Sequence, residues 1–328
     1  MIVPPPTSSR SARRQLALLK HAGLFGEDTK GAIIRRAFTA RDLRNAYRLV
    51  HDVFVGTGFM RPEPSGIRLR MFETLSETAT FIAEKDGAVV GVLSVVGDSP
   101  DLGLPSDAAF KDELDALRRT GARICELTNQ AVAEEYRKSA VATELMRCAI
   151  AHGMNAGYDA SVATVSPGHN GFYQLLGFCG LGSERSYSQK LHDPVVAMTL
   201  DLDFYRNSAP GVGEIRQFLH QHGRADNPYL DQVCGWTSKA SSYFGQSELL
   251  QELFVDDRNF LAECSAKELK LLEQRWGREA FNSVASASLI ALREEATTIP
   301  ARQSDDSTVP FPFDREPGLN FGLQAAFG

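Results

Sequence analysis

The chain has 328 residues, and 35 Lys and Arg against 41 Asp and Glu give it a formal net charge of −6 at pH 7. At about 150 residues per domain, this length suggests two folded units. The negative charge supplies no general attraction to phosphate backbones, so nucleic acid is not an expected partner. No window approaches the roughly 18 to 20 uninterrupted apolar residues that a transmembrane segment requires.

The cysteine and histidine patterns argue against disulfides and metals. The 5 cysteines are odd in number, far apart and without a CxxC pair. This pattern disfavours a disulfide framework or a thiolate zinc site and predicts a cytoplasmic location. The histidines show no HxxxH or comparable spacing, so the sequence predicts no metal site.

Composition divides the chain into four segments. We expect a flexible leader at 1–31, a mixed domain at 32–205, a helical extension at 210–296 and a flexible tail at 297–328. The leader is rich in Pro, Ser and Arg, and the tail in Pro, Gly, Asp and Ser without hydrophobic periodicity. Such segments do not bury enough apolar surface to fold alone.

The first elements of the mixed domain have clear local signals. An apolar run from Ala32 predicts a strand, and an amphipathic helix follows with Thr39 as its N-cap and Asp42 at N3. The stretch at 56–70 is rich in Gly, Pro and Arg and predicts a loop. Two β-type runs then flank Asp86-Gly87, whose residues favour the positive φ angles of a tight hairpin.

Further elements continue the mixture of strands and helices. Ser106 is the expected N-cap of a helix that ends before Gly121. After it the pattern predicts strands at 123–132, 158–165, 178–181 and 196–202, with helices at 141–156 and 169–176. This order predicts an α+β fold in which one mostly antiparallel mixed sheet is flanked by helices.

From residue 210 onward the hydrophobic period is helical. The candidate helices lie at 212–221, 229–243, 248–255, 265–276 and 279–295. The fourth of them opens with a capping box formed by Ser265 and Glu268.

Three stretches of the mixed domain resemble a known family. The order of elements around Glu126 and a closing Phe172-Tyr173…Leu176-Gly177-Phe178 resemble the GNAT N-acyltransferase superfamily. The stretch from Asp98 to Pro105 and the string Glu126-Leu127-Thr128-Asn129-Gln130-Ala131-Val132 resemble its long-chain N-acyl amino acid synthases, which are related to acyl-homoserine-lactone synthases. The resemblance covers roughly 32–205. It implies a GNAT (acyl-CoA N-acyltransferase) fold and transfer of a fatty acyl group, usually from acyl carrier protein, to an amino acid amine.

Glu126 is the candidate general base. It lies in an otherwise apolar strand, where a carboxylate is costly to bury without a purpose. Acyl transfer to an amine requires removal of a proton, and a partly buried Glu with a raised pKa can accept it. The position also matches the acidic residue of the family strand. The alternative is an ordinary salt bridge, for instance to Arg123.

Tyr173 matches the superfamily tyrosine that often protonates the leaving thiolate, a step for which a phenol is suited. Its alternative role is packing beside Phe172 and Phe178. No cysteine has a histidine at motif spacing, so we expect direct attack in a ternary complex.

The segment after the Glu126 strand lies where the superfamily binds the phosphate of pantetheine. Arg137 matches the family motif, whereas Ala140 replaces its first Gly and Ala142 occupies its last position. Backbone amides at a helix N-terminus bind phosphate when small residues allow close approach. The change favours one phosphodiester, as on acyl carrier protein, over the pyrophosphate of CoA, although acyl-CoA stays possible. The expected donor-binding residues are Ala131, Val132, Ala133, Arg137, Lys138, Ser139, Ala140, Val141 and Ala142. A solvated turn is the alternative.

The acceptor is expected to be an amino acid, whose carboxylate needs a cation. Arginine suits this role because its planar fork pairs with a carboxylate through two hydrogen bonds. In the related enzymes an Arg commonly follows the Ser that lies two residues beyond the strand Glu; here the corresponding pair is Thr128-Asn129, so that basic contact is missing. The candidate acceptor-binding residues are Arg61, Arg68, Arg70, Thr128, Asn129 and His169. Solvated arginines and a polar helix start at His169 are the alternatives.

Acyl carrier protein is an acidic partner, and basic residues flank the candidate phosphate loop. Those expected to contact it are Arg118, Arg119, Arg123, Arg137, Lys138 and Arg147, with Lys138 and Arg147 exposed. Two other functions stay open at this point: a CoA-dependent transferase of small acyl groups, and a non-catalytic module that binds an acyl thioester.

Overall fold

The computed structural model describes residues 28–186, 194–202, 227–240, 247–254 and 260–286, together with residue 17. Most of the predicted leader, the helix at 212–221 and the whole tail lie outside these residues. The predicted domain boundaries therefore stay predictions.

A mixed sheet of eight strands forms the centre of the described structure. Its strands are β1 (Ile33–Arg36), β2 (Thr78–Lys85), β3 (Ala88–Gly97), β4 (Ile124–Val132), β5 (Ala160–Val165), β6 (Cys179–Gly180), β7 (Arg185–Ser186) and β8 (Pro194–Asp201). The strand order is β1-β2-β3-β4-β5-β8-β6, and β7 also pairs with β8. All pairs are antiparallel except β4 with β5. The predicted, mostly antiparallel α+β sheet is confirmed.

The hairpin between β2 and β3 forms as predicted. Asp86 and Gly87 have φ angles of 51° and 80°, the left-handed values that a two-residue hairpin turn requires. The predicted capping box is also present. The Thr39 hydroxyl accepts from the Asp42 N–H at 3.0 Å, and the Asp42 carboxylate accepts from the Thr39 N–H at 3.2 Å.

Helices cover both faces of the sheet. They are α1 (Ala40–Gly56), α2 (Asp107–Arg119), α3 (Val141–Asn155) and α4 (Asn170–Leu175). Side chains alternate along the central strands, so neighbouring residues face opposite layers. Cys125 packs in the core beneath α3, whereas Ile124 packs against Leu114 of α2. The face on which a β4 side chain lies therefore decides which helix it meets.

Ser106 does not cap α2 with its side chain, contrary to expectation. Its backbone is helical, with φ −69° and ψ −13°, and its hydroxyl contacts the Thr164 hydroxyl instead. A side-chain cap is unnecessary because the amides it would bond are already used: the Ala108 N–H donates to the Pro105 carbonyl at 3.4 Å and the Ala109 N–H to the Ser106 carbonyl at 3.1 Å. The helix bends at Phe110, where φ is −127° and ψ is 31°.

The described helices of the extension pack on the mixed domain. They are α5 (Tyr229–Ala240), α6 (Ser247–Leu253), α7 (Phe260–Glu263) and α8 (Ala266–Trp276), followed by a helical stretch at 278–286. Tyr229 joins the core beneath α3, and Trp276 joins the core of α1. The capping box of Ser265 and Glu268 is confirmed.

Trp276 links the extension to the loop before β2. Its side chain is 5% exposed and packs against Phe254, with ring centroids 5.4 Å apart. Its indole N–H donates to the Thr74 carbonyl at 3.1 Å. A buried aromatic ring with a satisfied polar group contributes strongly to stability.

We therefore expect Trp276→Ala to lower the free energy of unfolding by about 3 to 5 kcal/mol, because it leaves a large cavity in a shared core. Urea unfolding followed by circular dichroism measures this change. Lys270→Ala, at an exposed position of the same helix, is the matched control and should stay within about 0.5 kcal/mol of the unmodified protein. Equal stability of the two variants would contradict a core shared by the extension and the domain.

Candidate active site

Glu126 lies in β4 on the face covered by α2. Its side chain is 1% exposed, and its Oε2 accepts a hydrogen bond from the Ser106 backbone N–H at 2.8 Å. The alternative salt bridge to Arg123 is not formed, because the Arg123 guanidinium donates to the Gly157 carbonyl at 3.1 Å. The carboxylate is therefore buried with an N–H donor rather than with a cation.

This environment changes the proton affinity of Glu126. Burial raises its pKa from 4.5 to about 7, and the nearby Asp107 adds to the increase. The hydrogen bond from Ser106 and the positive charge of Arg70 oppose it without cancelling it. A carboxyl group with a pKa near 7 exchanges protons readily at neutral pH, as a general base must.

The pairing between β4 and β5 ends one residue beyond Glu126. The last paired residues are Leu127 and Ala163. From there β4 pairs with no described strand except β3, and the register of that pairing shifts around Asn129, whose φ is 58°. Such a bulge redirects a strand, and it leaves the edge of β4 that faces β5 without strand pairing.

Tyr173 contacts β4 beyond this point. Its hydroxyl donates to the Gln130 Oε1 at 2.7 Å, and burial raises its pKa above the ordinary value. The ring also packs edge-on against Phe172 and Phe178, with centroids 5.6 and 5.0 Å away. The packing role and the contact with the candidate site therefore coexist in one side chain.

Four of the predicted acceptor-binding residues come together around Glu73. Arg70 donates to Glu73 through Nε at 3.0 Å, and its Nη2 reaches the Thr128 hydroxyl at 3.2 Å. Arg68 donates to the Asn129 side-chain oxygen, and the Asn129 amide donates to Glu73 at 2.9 Å. The basic contact that the sequence suggested was missing beside Thr128-Asn129 is thus supplied from the loop before β2.

Glu73 was not among the site residues predicted from the sequence. It is fully buried, and burial favours its neutral form, but the charges of Arg70 and Arg68, together with hydrogen bonds from Arg70 and Asn129, outweigh burial and lower its pKa. The sequence feature that could have identified Glu73 is the spacing Arg70-x-x-Glu73, which allows an ion pair across one turn. From the sequence alone, however, a buried ion pair in a Gly- and Pro-rich loop cannot be distinguished from a solvent-exposed one.

The other two candidates lie apart from this cluster. Arg61 is exposed and has no hydrogen bond or ion pair with it among the described residues. His169 ends a short turn after β5, and its Nδ1 lies 2.9 Å from the Ser166 hydroxyl. Burial lowers the pKa of His169 to about 4, so at pH 7 it is neutral and offers an acceptor carboxylate no positive charge.

The candidate phosphate loop connects β4 to α3. Ala131 and Val132 end the strand, and the Ala133 N–H donates to the Val90 carbonyl at 2.9 Å. Lys138 is exposed and has a φ of 62°, which reverses the chain before the helix. The loop is therefore a structured turn ahead of a helix N-terminus.

Part of this N-terminus is already hydrogen-bonded. The Ala140 N–H donates to the Asp28 carbonyl at 2.9 Å, and the Val141 N–H donates to the Ser139 hydroxyl at 3.3 Å. Within the described residues, the Ala142 N–H donates no hydrogen bond. The chain thus uses two of the amides that a phosphate would otherwise take.

The basic residues expected to contact a carrier protein do not form one surface. Arg123 precedes β4 and Arg137 follows it, and a strand of nine residues is roughly 30 Å long. Arg147 is not exposed as expected: its side chain is 16% exposed and pairs with Glu144 at 2.7 Å. Arg137 and Lys138 lie in the phosphate loop itself.

The described residues offer little other reactive chemistry at this strand. Burial raises the pKa of Cys125 to about 12, which makes its thiol a poor nucleophile. Within the described parts of the chain, no three His, Cys, Asp or Glu side chains are arranged to hold a metal ion. No described helix is long and apolar enough to cross a membrane.

The raised pKa of Glu126 predicts a pH-dependent stability. Below pH 4.5 the group is protonated in both folded and unfolded chains; as the pH rises to about 7, only the unfolded chain ionises freely. The folded state therefore loses stability over this interval. Relative to Glu126→Gln, which does not ionise, the unmodified protein should lose roughly 2 to 4 kcal/mol between pH 4.5 and 8. Urea titrations at both pH values measure this, and parallel pH profiles of the two proteins would contradict the buried carboxylate.

Part of the chain matches a known protein family. Residues 45–201 match the family model described as N-acyl amino acid synthase FeeM. Among solved structures, FeeM from uncultured soil microbes is 23% identical over 52% of this chain and 91% of that chain, with a TM-score of 0.47. The CoA-dependent acyl-homoserine lactone synthase BjaI is 19% identical over 62% and 98%, with a TM-score of 0.41. A GNAT-family acetyltransferase from Streptococcus pneumoniae is 19% identical over 52% and 98%, with a TM-score of 0.38.

A search of curated proteins found no sequence that matches this chain significantly. The family match and the sheet topology confirm the resemblance inferred from the sequence. Residues 45–201, just under half of the chain, match the N-acyl amino acid synthase family model, which indicates an N-acyltransferase with the mixed, mostly antiparallel sheet that the resemblance implied.

Proposed function

We propose that the protein transfers a long-chain fatty acyl group from a pantetheine thioester to the amine of an amino acid, with Glu126 as general base. The observation that carries this proposal is the burial of Glu126 beside the Ser106 N–H, with a pKa of about 7. A carboxylate of this kind accepts a proton at neutral pH and releases it again.

The acceptor side is supported by the cluster around Glu73. Two arginines and one carboxylate leave this cluster with a net positive charge, and Arg70 extends it to Thr128, two residues from Glu126 on the same face of β4. A positive cluster attracts the carboxylate of an amino acid and thereby directs its amine toward the base. Acceptors without a carboxylate should therefore bind weakly.

The reaction follows from these positions. The acceptor ammonium gives a proton to Glu126, and the amine attacks the thioester carbonyl carbon to form the C–N bond. The C–S bond then breaks, and the thiolate takes a proton from Tyr173. The second proton that the nitrogen loses restores the Tyr173 hydroxyl, so the products are the amide, the free thiol and protonated Glu126. The edge of β4 that faces β5 has no strand partner beyond Leu127 in the described parts of the chain, and it is the proposed place for the pantetheine arm.

The phosphate loop favours a carrier-protein donor over CoA. The amides of Ala140 and Val141 are used within the chain, which leaves that of Ala142 for a ligand. One phosphodiester needs fewer amide donors than a pyrophosphate. Arg137 and Lys138 add positive charge in the same loop, which suits an acidic carrier protein approaching this end of α3.

A product-profiling experiment tests the proposal. The protein is incubated with long-chain acyl carrier protein, long-chain acyl-CoA or acetyl-CoA and a mixture of amino acids, and products are identified by mass spectrometry. We expect long-chain N-acyl amino acids, formed faster from the carrier protein. Acetylated products alone would support the CoA-dependent alternative, and no product from any donor would support a non-catalytic module.

Glu126→Gln should lower turnover by about 10² to 10⁴, because the amide cannot accept the proton. Initial rates at saturating donor and acceptor measure the effect. Glu84→Gln is the matched control: it changes a carboxylate of β2 that pairs with Arg35, and its turnover should stay close to that of the unmodified protein. Activity of Glu126→Gln within about twofold would remove Glu126 from the mechanism.

Tyr173→Phe should reduce kcat more than it raises the KM for the donor. Only the hydroxyl is lost, and its proposed role arises as charge develops on the leaving sulfur. Steady-state kinetics with a varied donor separate the two constants. Tyr229→Phe removes another buried hydroxyl, bonded at 2.9 Å to Glu144, which takes no part in the proposed reaction, and should leave kcat unchanged. An effect of Tyr173→Phe on donor KM alone would identify a binding residue instead.

A further inference from the structure

Helix α2 is bent so that its two ends interact. In a straight α-helix, residues 107 and 118 would lie roughly 16 Å apart along the axis. Yet Arg118 donates to both carboxylate oxygens of Asp107, at 2.7 and 2.6 Å. The non-helical backbone at Phe110 makes this possible by turning the first residues of the helix back toward its last turn.

The same guanidinium holds the chain that leaves β3. Arg118 donates from Nε and Nη2 to the two oxygens of Asp98, both at 2.8 Å. Asp98 directly follows β3, and its backbone N–H donates to the Ile124 carbonyl of β4 at 3.1 Å. Arg118 therefore ties both ends of the loop at 98–107 to each other and to the sheet, a connection we call the Arg118 clamp.

The loop is packed tightly around this clamp. The Leu104 N–H donates to the Asp107 carboxylate at 2.7 Å. Gly103 has a φ of 70°, and a Cβ at this position would lie only 2.3 Å from the Asp107 Oδ2. Because a side chain would collide there, the close approach of loop and clamp requires glycine.

The loop ends at the group that contacts Glu126. Ser106 immediately precedes Asp107, and its N–H is the donor to the Glu126 carboxylate. The charge of Asp107 itself favours the protonated form of Glu126. Arg118 thus affects Glu126 in two ways, since it fixes the position of the donor and neutralises the nearby carboxylate.

We propose that Arg118 is a positioning residue for Glu126, which holds the Ser106 N–H against the carboxylate by clamping Asp98 and Asp107. The effect of Arg118 on turnover rests on the proposed function, in which Glu126 is the base. The effect of Arg118 on the protonation of Glu126 is independent of that function, and the two effects are measured separately.

The charged and titratable groups near Glu126 set the direction of the effect. They are Arg70 from the loop before β2, Asp107 from α2 and the neutral thiol of Cys125 on the same strand. Without Arg118, Asp107 is uncompensated and the Ser106 N–H is no longer held in place. Both changes favour protonated Glu126, so its pKa should rise further above 7.

The test is Arg118→Met, in protein labelled with ¹³C at the glutamate carboxyl carbon. The Glu126 signal is assigned by its loss in Glu126→Gln, and its titration is followed by NMR. We expect its midpoint to rise by about one pH unit, as the loss of one hydrogen bond and one compensating charge predicts. The acidic limb of the pH–rate profile should rise by the same amount.

Lys111→Met is the matched control. Lys111 is exposed, pairs with Asp115 on the same helix at 2.7 Å, and makes no hydrogen bond or ion pair with Asp98 or Asp107 among the described residues. Its charge acts on Asp107 only at longer range, so the Glu126 titration should shift far less than in Arg118→Met. An unchanged Glu126 titration in folded Arg118→Met would overturn the proposal, as would an equal shift in Lys111→Met.

If circular dichroism shows that Arg118→Met does not fold, Arg118→Lys is used in its place. Lysine keeps the charge but cannot hold two carboxylates through paired N–H groups. An unchanged Glu126 titration in that variant also overturns the proposal. If the NMR midpoint rises while the pH–rate profile stays fixed, Arg118 positions Glu126 as proposed, and it is the role of Glu126 as base that fails.

Discussion

The hydrogen bonding between β4 and β5 extends from Ile124 to Leu127 and then stops. Glu126 lies within the paired part, where the regular sheet fixes its side chain against α2. The bulge at Asn129 lies beyond the paired part. There Gln130 meets the Tyr173 hydroxyl rather than a strand of the sheet. Along β4, Glu126 therefore lies where the strand is hydrogen-bonded on both edges, whereas Gln130 lies where the edge facing β5 is unpaired among the described strands. The role proposed for each group depends on which of these two parts of the strand it lies in.

The two buried carboxylates of the site show how strongly surroundings determine chemical character. Glu73 is enclosed by Arg70, Arg68 and the Asn129 amide, which keep it ionised despite full burial. Glu126 is equally buried but has a neutral N–H as its hydrogen-bond partner, and its pKa lies near 7. The first is therefore a fixed anion that organises cations, whereas the second is able to change its protonation state during a reaction.

Much of this arrangement could be predicted from local sequence signals. The capping box of Thr39, the Asp86-Gly87 turn and the place of Glu126 in an apolar strand depend on neighbouring residues alone. The acidic partner of Arg68 and Arg70 was not predictable, because a fully buried ion pair and a solvated one have the same spacing. The contact of Ser106 with Glu126 is made by a backbone N–H, which has no sequence signature. Arg147 was misjudged because it lies beside a segment that the local sequence does not show: Asn227, 80 residues further along the chain, donates to the Arg147 backbone carbonyl.

The hydrogen bond from the Trp276 indole to the Thr74 carbonyl joins parts of the chain that are 202 residues apart. Thr74 directly follows Glu73 in the same short turn, so the extension supports the turn around which the acceptor arginines gather. The proposed acceptor site is in this sense composite, because its residues belong to the domain while the extension holds the turn that carries Glu73. A shortened protein that ends with the last strand would keep every proposed substrate-contacting residue and still lack the support of this turn. If the proposed function holds, changes in the extension that touch no substrate can therefore alter which acceptor is used.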